Sequence, residues 1–170
     1  MLPKSDGRTG ATKKLALRGM LIALAFVFAW LEAQLPPMTA VPGIKLGLTN
    51  LVVLVALYRL GTRDAFILNI VRILLVGLTF GNLFSLLYSM AGGMLSCIVM
   101  VLLKQSDKFS IPAVSIAGGI FHNVGQLLVA MAVLESAGVM YYMVFLWFGG
   151  MAAGAAVGII GAQVVKRLPT

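Results

Sequence analysis

Residues 139–165 read VMYYMVFLWFGGMAAGAAVGIIGAQVV, and Lys166-Arg167 closes them. The stretch holds no charged side chain and exceeds the ~20 apolar residues a helix needs to cross a bilayer. Working back toward the N-terminus, Ile111 to Leu134 is a second such run. Ser110 is placed to cap it, and Pro112 sits in its first turn, where a missing N–H does no harm. Glu135-Ser136-Ala137-Gly138 makes the turn between these two runs. Leu83 to Leu103 precedes them and ends at the polar loop Lys104-Gln105-Ser106-Asp107-Lys108. Gly81-Asn82 separates it from Ala65 to Phe80, which contains Arg72. Leu46 to Leu60 is apolar but short and runs into the charged turn Arg59 to Asp64. Leu15 to Leu35 is the first run, broken by Pro36, Pro37, Pro42 and Gly43. No run alternates with period two, and an open sheet edge cannot face lipid, so helices are expected rather than a barrel.

Composition agrees. The 170 residues are 61% hydrophobic and 11% charged, with a mean hydropathy of +1.03. Soluble domains hold about 45–50% apolar and about 25% charged residues. A water-soluble enzyme, a disordered chain and a disulfide scaffold are excluded; Cys97 has no second cysteine to pair with. The net charge of +8 lies at segment ends, which points to lipid headgroups and the positive-inside rule rather than to nucleic acid. With the N-terminus in the cytoplasm, Lys4, Arg8, Lys13, Lys14, Arg18, Arg59, Arg63, Lys104, Lys108, Lys166 and Arg167 all fall inside. Lys45 alone falls outside, and Arg72 lies within a span.

The expected fold is therefore an all-α integral membrane protein, a six-transmembrane-helix bundle with both termini cytoplasmic. Residues 1–14 form a basic cytoplasmic tail, 15–165 the single membrane domain and 166–170 a short cytoplasmic tail. The multi-pass chain belongs in a plasma membrane. The first run is too long for a signal peptide and lacks a small-residue cleavage pattern, so it reads as a retained helix.

Lipid tails are as apolar as leucine, so helices associate through close backbone approach at small residues. Gly150, Gly154 and Gly158 repeat at four-residue spacing, as do Ala25, Ala29 and Ala33; Gly19 and Ala23 lie near the start of the first run. Each ridge reads either as internal packing or as docking of a partner membrane protein, with Gly19/Ala23 and the Gly150 ridge as docking candidates. No phosphate loop, no CxxC or histidine cluster and no paired aspartates are present, so no catalytic pair, metal site or resident cofactor is expected.

Arg72 lies roughly 14 Å into its span at ~1.5 Å per residue. An arginine there costs on the order of 2.5–3.5 kcal/mol and faces the bundle or a wet cavity. Asn69 is one turn earlier on the same face. His122, Asn123 and Gln126 gather within one turn of the fifth run. Glu32, Lys45, Asn50 and Asn82 lie in the outer half, and a Glu32–Lys45 pair would leave Arg72 uncompensated. Arg72 reads either as a structural cation or as a ligand-binding one, and His122 either as an interhelical hydrogen-bonder or as part of a site. The sharper reading is an anionic or carbonyl-rich ligand entering from outside, bound by Lys45, Asn50, Asn69, Arg72, His122, Asn123 and Gln126.

Residues 42–50, PGIKLGLTN, Arg72 in the third run, residues 88–93, YSMAGG, and residues 122–126, HNVGQ, together resemble the Gx transporter family, labelled heptaprenyl diphosphate synthase component I. That family is similar in architecture to the substrate-binding S components of energy-coupling factor transporters. The resemblance implies a component that captures a vitamin- or quinone-like small molecule from the outer face of a bacterial plasma membrane. It further implies a transmembrane T component with ATPase subunits as partners, docked near Gly19 and Ala23. The alternative it implies is a membrane accessory of a soluble prenyl synthase in isoprenoid metabolism, or of quinone- or flavin-linked extracellular electron transfer. Asp6, Asp64 and Asp107 are isolated, which does not fit an aspartate-rich synthase on its own.

Overall fold

The computed structural model describes residues 7–34, 47–135 and 137–168. Six α-helices follow one another among the described residues: α1 (Gly7–Gln34), α2 (Leu48–Arg59), α3 (Thr62–Phe80), α4 (Leu83–Gln105), α5 (Ile111–Leu134) and α6 (Met143–Arg167). A 3-10 turn over Ala137–Tyr142 leads into α6, and no strand occurs among the described residues. The proline-rich break at Pro36, Pro37 and Pro42, and Lys45 beyond it, lie outside the described residues.

Local chemistry sets the ends. Asn82 caps α4 by accepting from Ser85 N at 2.8 Å, and Ser110 caps α5 by accepting from Ala113 N at 3.4 Å. α2 and α3 are joined through Gly61, whose φ of 105° and ψ of 177° are open only to glycine. Several boundaries differ from the sequence reading; α2 starts at Leu48 rather than Leu46, and α6 at Met143 rather than Val139. α3 starts at Thr62 rather than Ala65: Asp64 sits in its first turn, where an acid favours the helix dipole, and pairs with Arg18 of α1 at 2.7 Å. α1 starts at Gly7, so part of the basic tail is already helical, as a helix leaving the bilayer can be without being apolar.

Among the described residues, four stretches are long and apolar enough to cross a membrane: Thr12–Glu32, Leu83–Gln105, Ile111–Leu134 and Met140–Arg167. α3 has 19 residues but carries Arg63, Asp64 and Arg72. α2, with 12 residues, extends about 18 Å, short of a hydrocarbon core of about 30 Å. α2 is also the most enclosed helix: every residue from Leu51 to Leu57 is buried. A helix apolar all round belongs inside a bundle, and α1, α3 and α6 all pack against α2.

The most extensive packing joins α5 to α6 and α4 to α5. Gly150, Gly154 and Gly158 are buried there. A methyl group at Gly154 would lie 2.7 Å from Ile116 Cα, and one at Gly158 2.6 Å from Pro112 Cα. The ridge is thus covered by α5, the internal packing that the spacing allowed, and is not a free surface. α1 divides its small residues between two faces. Ala25 and Ala29 are buried, whereas Gly19 and Ala23 are exposed and a methyl group at Gly19 would meet nothing within 4 Å.

At one end of the bundle, cations tie helix ends together. Arg59 donates to the carbonyls of Val165 and Leu168 at the end of α6. Lys104 donates to Leu57 O at 2.6 Å near the end of α2 and lies over the Tyr58 ring, 5.2 Å from its centroid. Both contacts place positive charge where helix dipoles are negative.

Candidate functional site: a polar cavity inside the bundle

Opposite the basic end, the C-terminal turns of α1 and α3 meet the N-terminal turns of α2 and α4 around a cavity of about 190 Å³ that runs in toward α5 and α6. Arg72 of α3 is its cation. The side chain is 8% exposed. Its Nε donates to Asn69 Oδ1 at 3.1 Å, and its Nη2 donates to Asn69 Oδ1 and to Asn50 Oδ1, both at 2.9 Å. Asn69 Nδ2 in turn donates to Gly93 O of α4 at 3.0 Å. One arginine therefore links α2, α3 and α4. Of its five N–H groups, those on Nη1 bond to no described residue. No carboxylate among the described residues lies within 4.0 Å of the guanidinium.

Asn69 is buried behind Arg72 and does not line the cavity. Its amide is engaged on both atoms and acts by orienting the guanidinium. Asn50, Arg72, His122, Asn123 and Gln126 do line it, so helices far apart in sequence bring these expected residues together. Asn123 Nδ2 donates to Leu146 O at 2.6 Å, tying α5 to α6. Gln126 is 3% exposed and its Oε1 is buried without a hydrogen bond. Glu32 also lines the cavity; its Oε1 accepts from Leu48 N at 2.9 Å and so closes the first turn of α2 from a neighbouring helix. That α2 start is Gly47, whose own residue type offers no cap. Lys45, the expected partner of Glu32, lies outside the described residues.

Sequence reading missed the serines. Ser85, Ser89 and Ser96 of α4 and Ser115 of α5 line the cavity. With Gly92 and Gly93 between them, the α4 serines form one small, polar helical stripe at spacings of four and about seven, a signal present in the sequence. The result is a narrow recess with one guanidinium, the Glu32 carboxylate, hydroxyl and amide groups, and small-residue walls. It can bind and orient an acceptor-bearing molecule by charge-assisted hydrogen bonds.

Membrane-length apolar helices enclosing a polar recess define an α-helical, multi-pass membrane protein. A family model described as heptaprenyl diphosphate synthase component I matches residues 21–164, and the chain belongs to that family. No curated protein and no solved structure matches it.

Proposed function

We propose that this protein is a membrane-embedded binding component that captures a small anionic or carbonyl-rich molecule from the outer face through the Arg72 cavity. The observation that carries this reading is Arg72 itself: buried, held in position by two asparagine oxygens, and without a carboxylate within ion-pair distance among the described residues. A buried cation without an ion-pair partner is costly, and Glu32, on the same cavity wall, already accepts from Leu48 N, so an anionic or carbonyl group of a ligand would complete the guanidinium. A cavity of about 190 Å³ lies below the roughly 300–1,000 Å³ of drug-sized sites, so the occupant is small. A heptaprenyl chain does not fit within it.

In this reading all six helices cross the membrane, both termini are cytoplasmic, and the cavity opens outward. The basic residues at the opposite end support that orientation. α2 manages with 12 residues because protein, not lipid, surrounds it. Cysteines placed at Ser106 and at Gly138, both exposed, provide the check. An impermeant thiol reagent applied to intact cells should label Gly138→Cys and spare Ser106→Cys; labelling of both from outside would reject the topology.

As an S-component-like module, the protein would deliver its ligand through a transmembrane partner and ATPase subunits, with the exposed Gly19/Ala23 face of α1 as the contact. The family description favours a second reading, an accessory of a prenyl synthase complex. Native purification followed by mass spectrometry separates the two. The binding reading expects a retained small molecule that leaves when Arg72 is replaced, and membrane and ATPase partners. A soluble aspartate-rich synthase as the sole partner, with no small molecule retained, would favour the accessory.

A further inference from the structure

The cavity is lined by a second polar side chain with an unpaired atom, which Arg72 does not satisfy. Gln126 is 3% exposed, and its Oε1 is buried without a partner. The other buried amides differ: Asn69 bonds Arg72 and Gly93 O, and Asn123 bonds Leu146 O. An unpaired amide oxygen at this depth is costly, since buried polar groups in native proteins are normally satisfied. The side chain is confined as well. A methyl group at Gly92 would lie 2.8 Å from Gln126 Cγ, and the neighbouring Gly93 faces Asn69 Oδ1 at 3.4 Å. Successive glycines of α4 thus look in two directions, one toward the Gln126 amide and one toward the Asn69–Arg72 pair. Arg72 offers donors and calls for an acceptor, whereas the unpaired Gln126 Oε1 is an acceptor and calls for a donor, so one acceptor group does not serve both.

We infer that the ligand carries two different groups: an anionic or carbonyl group for Arg72, and an adjacent donor–acceptor edge for the carboxamide of Gln126, as a lactam, a carboxamide or a nitrogen heterocycle presents. This rests on the binding reading above and narrows its substrate class to small polar rings bearing an acid or carbonyl. A carboxamide offers one acceptor and one donor group on the same edge, so a matching edge pairs with both at once. A site built to hydrogen-bond such a group discriminates strongly against an analogue that lacks it.

The test uses the full-length protein in lipid nanodiscs and two ring carboxylates, titrated calorimetrically. Orotate has the carboxylate and lactam edges; benzoate has the carboxylate alone. Wild type should bind orotate at least about tenfold tighter than benzoate. Gln126→Met, close in volume, should bring the two within about twofold of each other. Equal affinity of wild type for the two probes overturns the inference while leaving anion capture standing, and this arm needs no variant to fold. An orotate preference that survives Gln126→Met also overturns it. If neither anion binds, the inference and the binding reading fall together.

Discussion

Arg72→Gln should weaken binding of a ring carboxylate such as benzoate by a hundredfold or more while leaving the fold intact. Charge-assisted bonds from a guanidinium are roughly twice as strong as neutral ones, and the low dielectric of a bundle interior strengthens them further. Truncating one partner of a buried, hydrogen-bonded charge pair costs about 2–5 kcal/mol, and each ~1.4 kcal/mol is tenfold. Stability should move the other way or not at all. The substitution removes a cation whose insertion costs on the order of 2.5–3.5 kcal/mol. The new amide can still donate to one of the two oxygens, Asn50 Oδ1 or Asn69 Oδ1, that now receive Nη2. Arg72→Lys should fall between, because a lysine keeps the charge and loses the planar fork that reaches both asparagines and a ligand. The measurement is calorimetric titration beside a thermal melt. A folded Arg72→Gln protein with wild-type affinity would make Arg72 a structural residue and remove the basis of the proposed function.

Much of this site was legible before any coordinates, for a physical reason. Asn69 and Arg72 are three apart, so any helix stacks them on one face; the bonds from Arg72 Nε and Nη2 to Asn69 Oδ1 follow. His122, Asn123 and Gln126 fall within one turn of an otherwise apolar helix. The helix breaks were equally readable where chemistry is local: Ser110 and Asn82 both cap as their residue types allow, and α5 runs from Ile111 to Leu134 as its apolar run does. What the sequence could not carry is set by contacts between helices. Thr62 to Asp64 read as a turn because Arg63 and Asp64 are charged, yet they form the first turn of α3, where Arg18 of α1 pairs with Asp64. Val139 to Tyr142 read as helix because they are apolar, yet belong to a 3-10 turn before α6. Asn69 and Asn50 carry the same side chain, but only packing makes one a buried support and the other a cavity wall. Likewise, periodicity offered two uses for each small-residue ridge, and only the position of α5 decides between them for Gly150, Gly154 and Gly158.

That decision has the second large consequence. Gly154→Ala should destabilise the bundle by about 1–3 kcal/mol, and Gly154→Leu should prevent α5 and α6 from docking. The added methyl would lie 2.7 Å from both Ile116 Cα and Ser115 O. Both are backbone atoms of a packed helix, so no rotamer change relieves the clash; the helices must move apart. Separation is expensive in a bilayer, where packing rather than burial holds helices together. The same shift would reach the cavity. Gly150 opposes Gly119 O at 2.8 Å and Asn123 Nδ2 at 2.9 Å, measured from where its methyl would stand. Gly150→Ala should therefore displace the Asn123 bond to Leu146 O and lower ligand affinity as well as stability. Gly19→Ala is the internal control. Nothing lies within 4 Å of the methyl there, and glycine inside a helix costs roughly 0.5–1 kcal/mol relative to alanine. That variant should melt at or above the wild-type temperature. Thermal melts of the three alanine variants in one detergent provide the measurement. Equal melting temperatures for Gly19→Ala and Gly154→Ala would show that α5 and α6 do not meet through their glycines, and the small-residue walls of the cavity would lose their support with them.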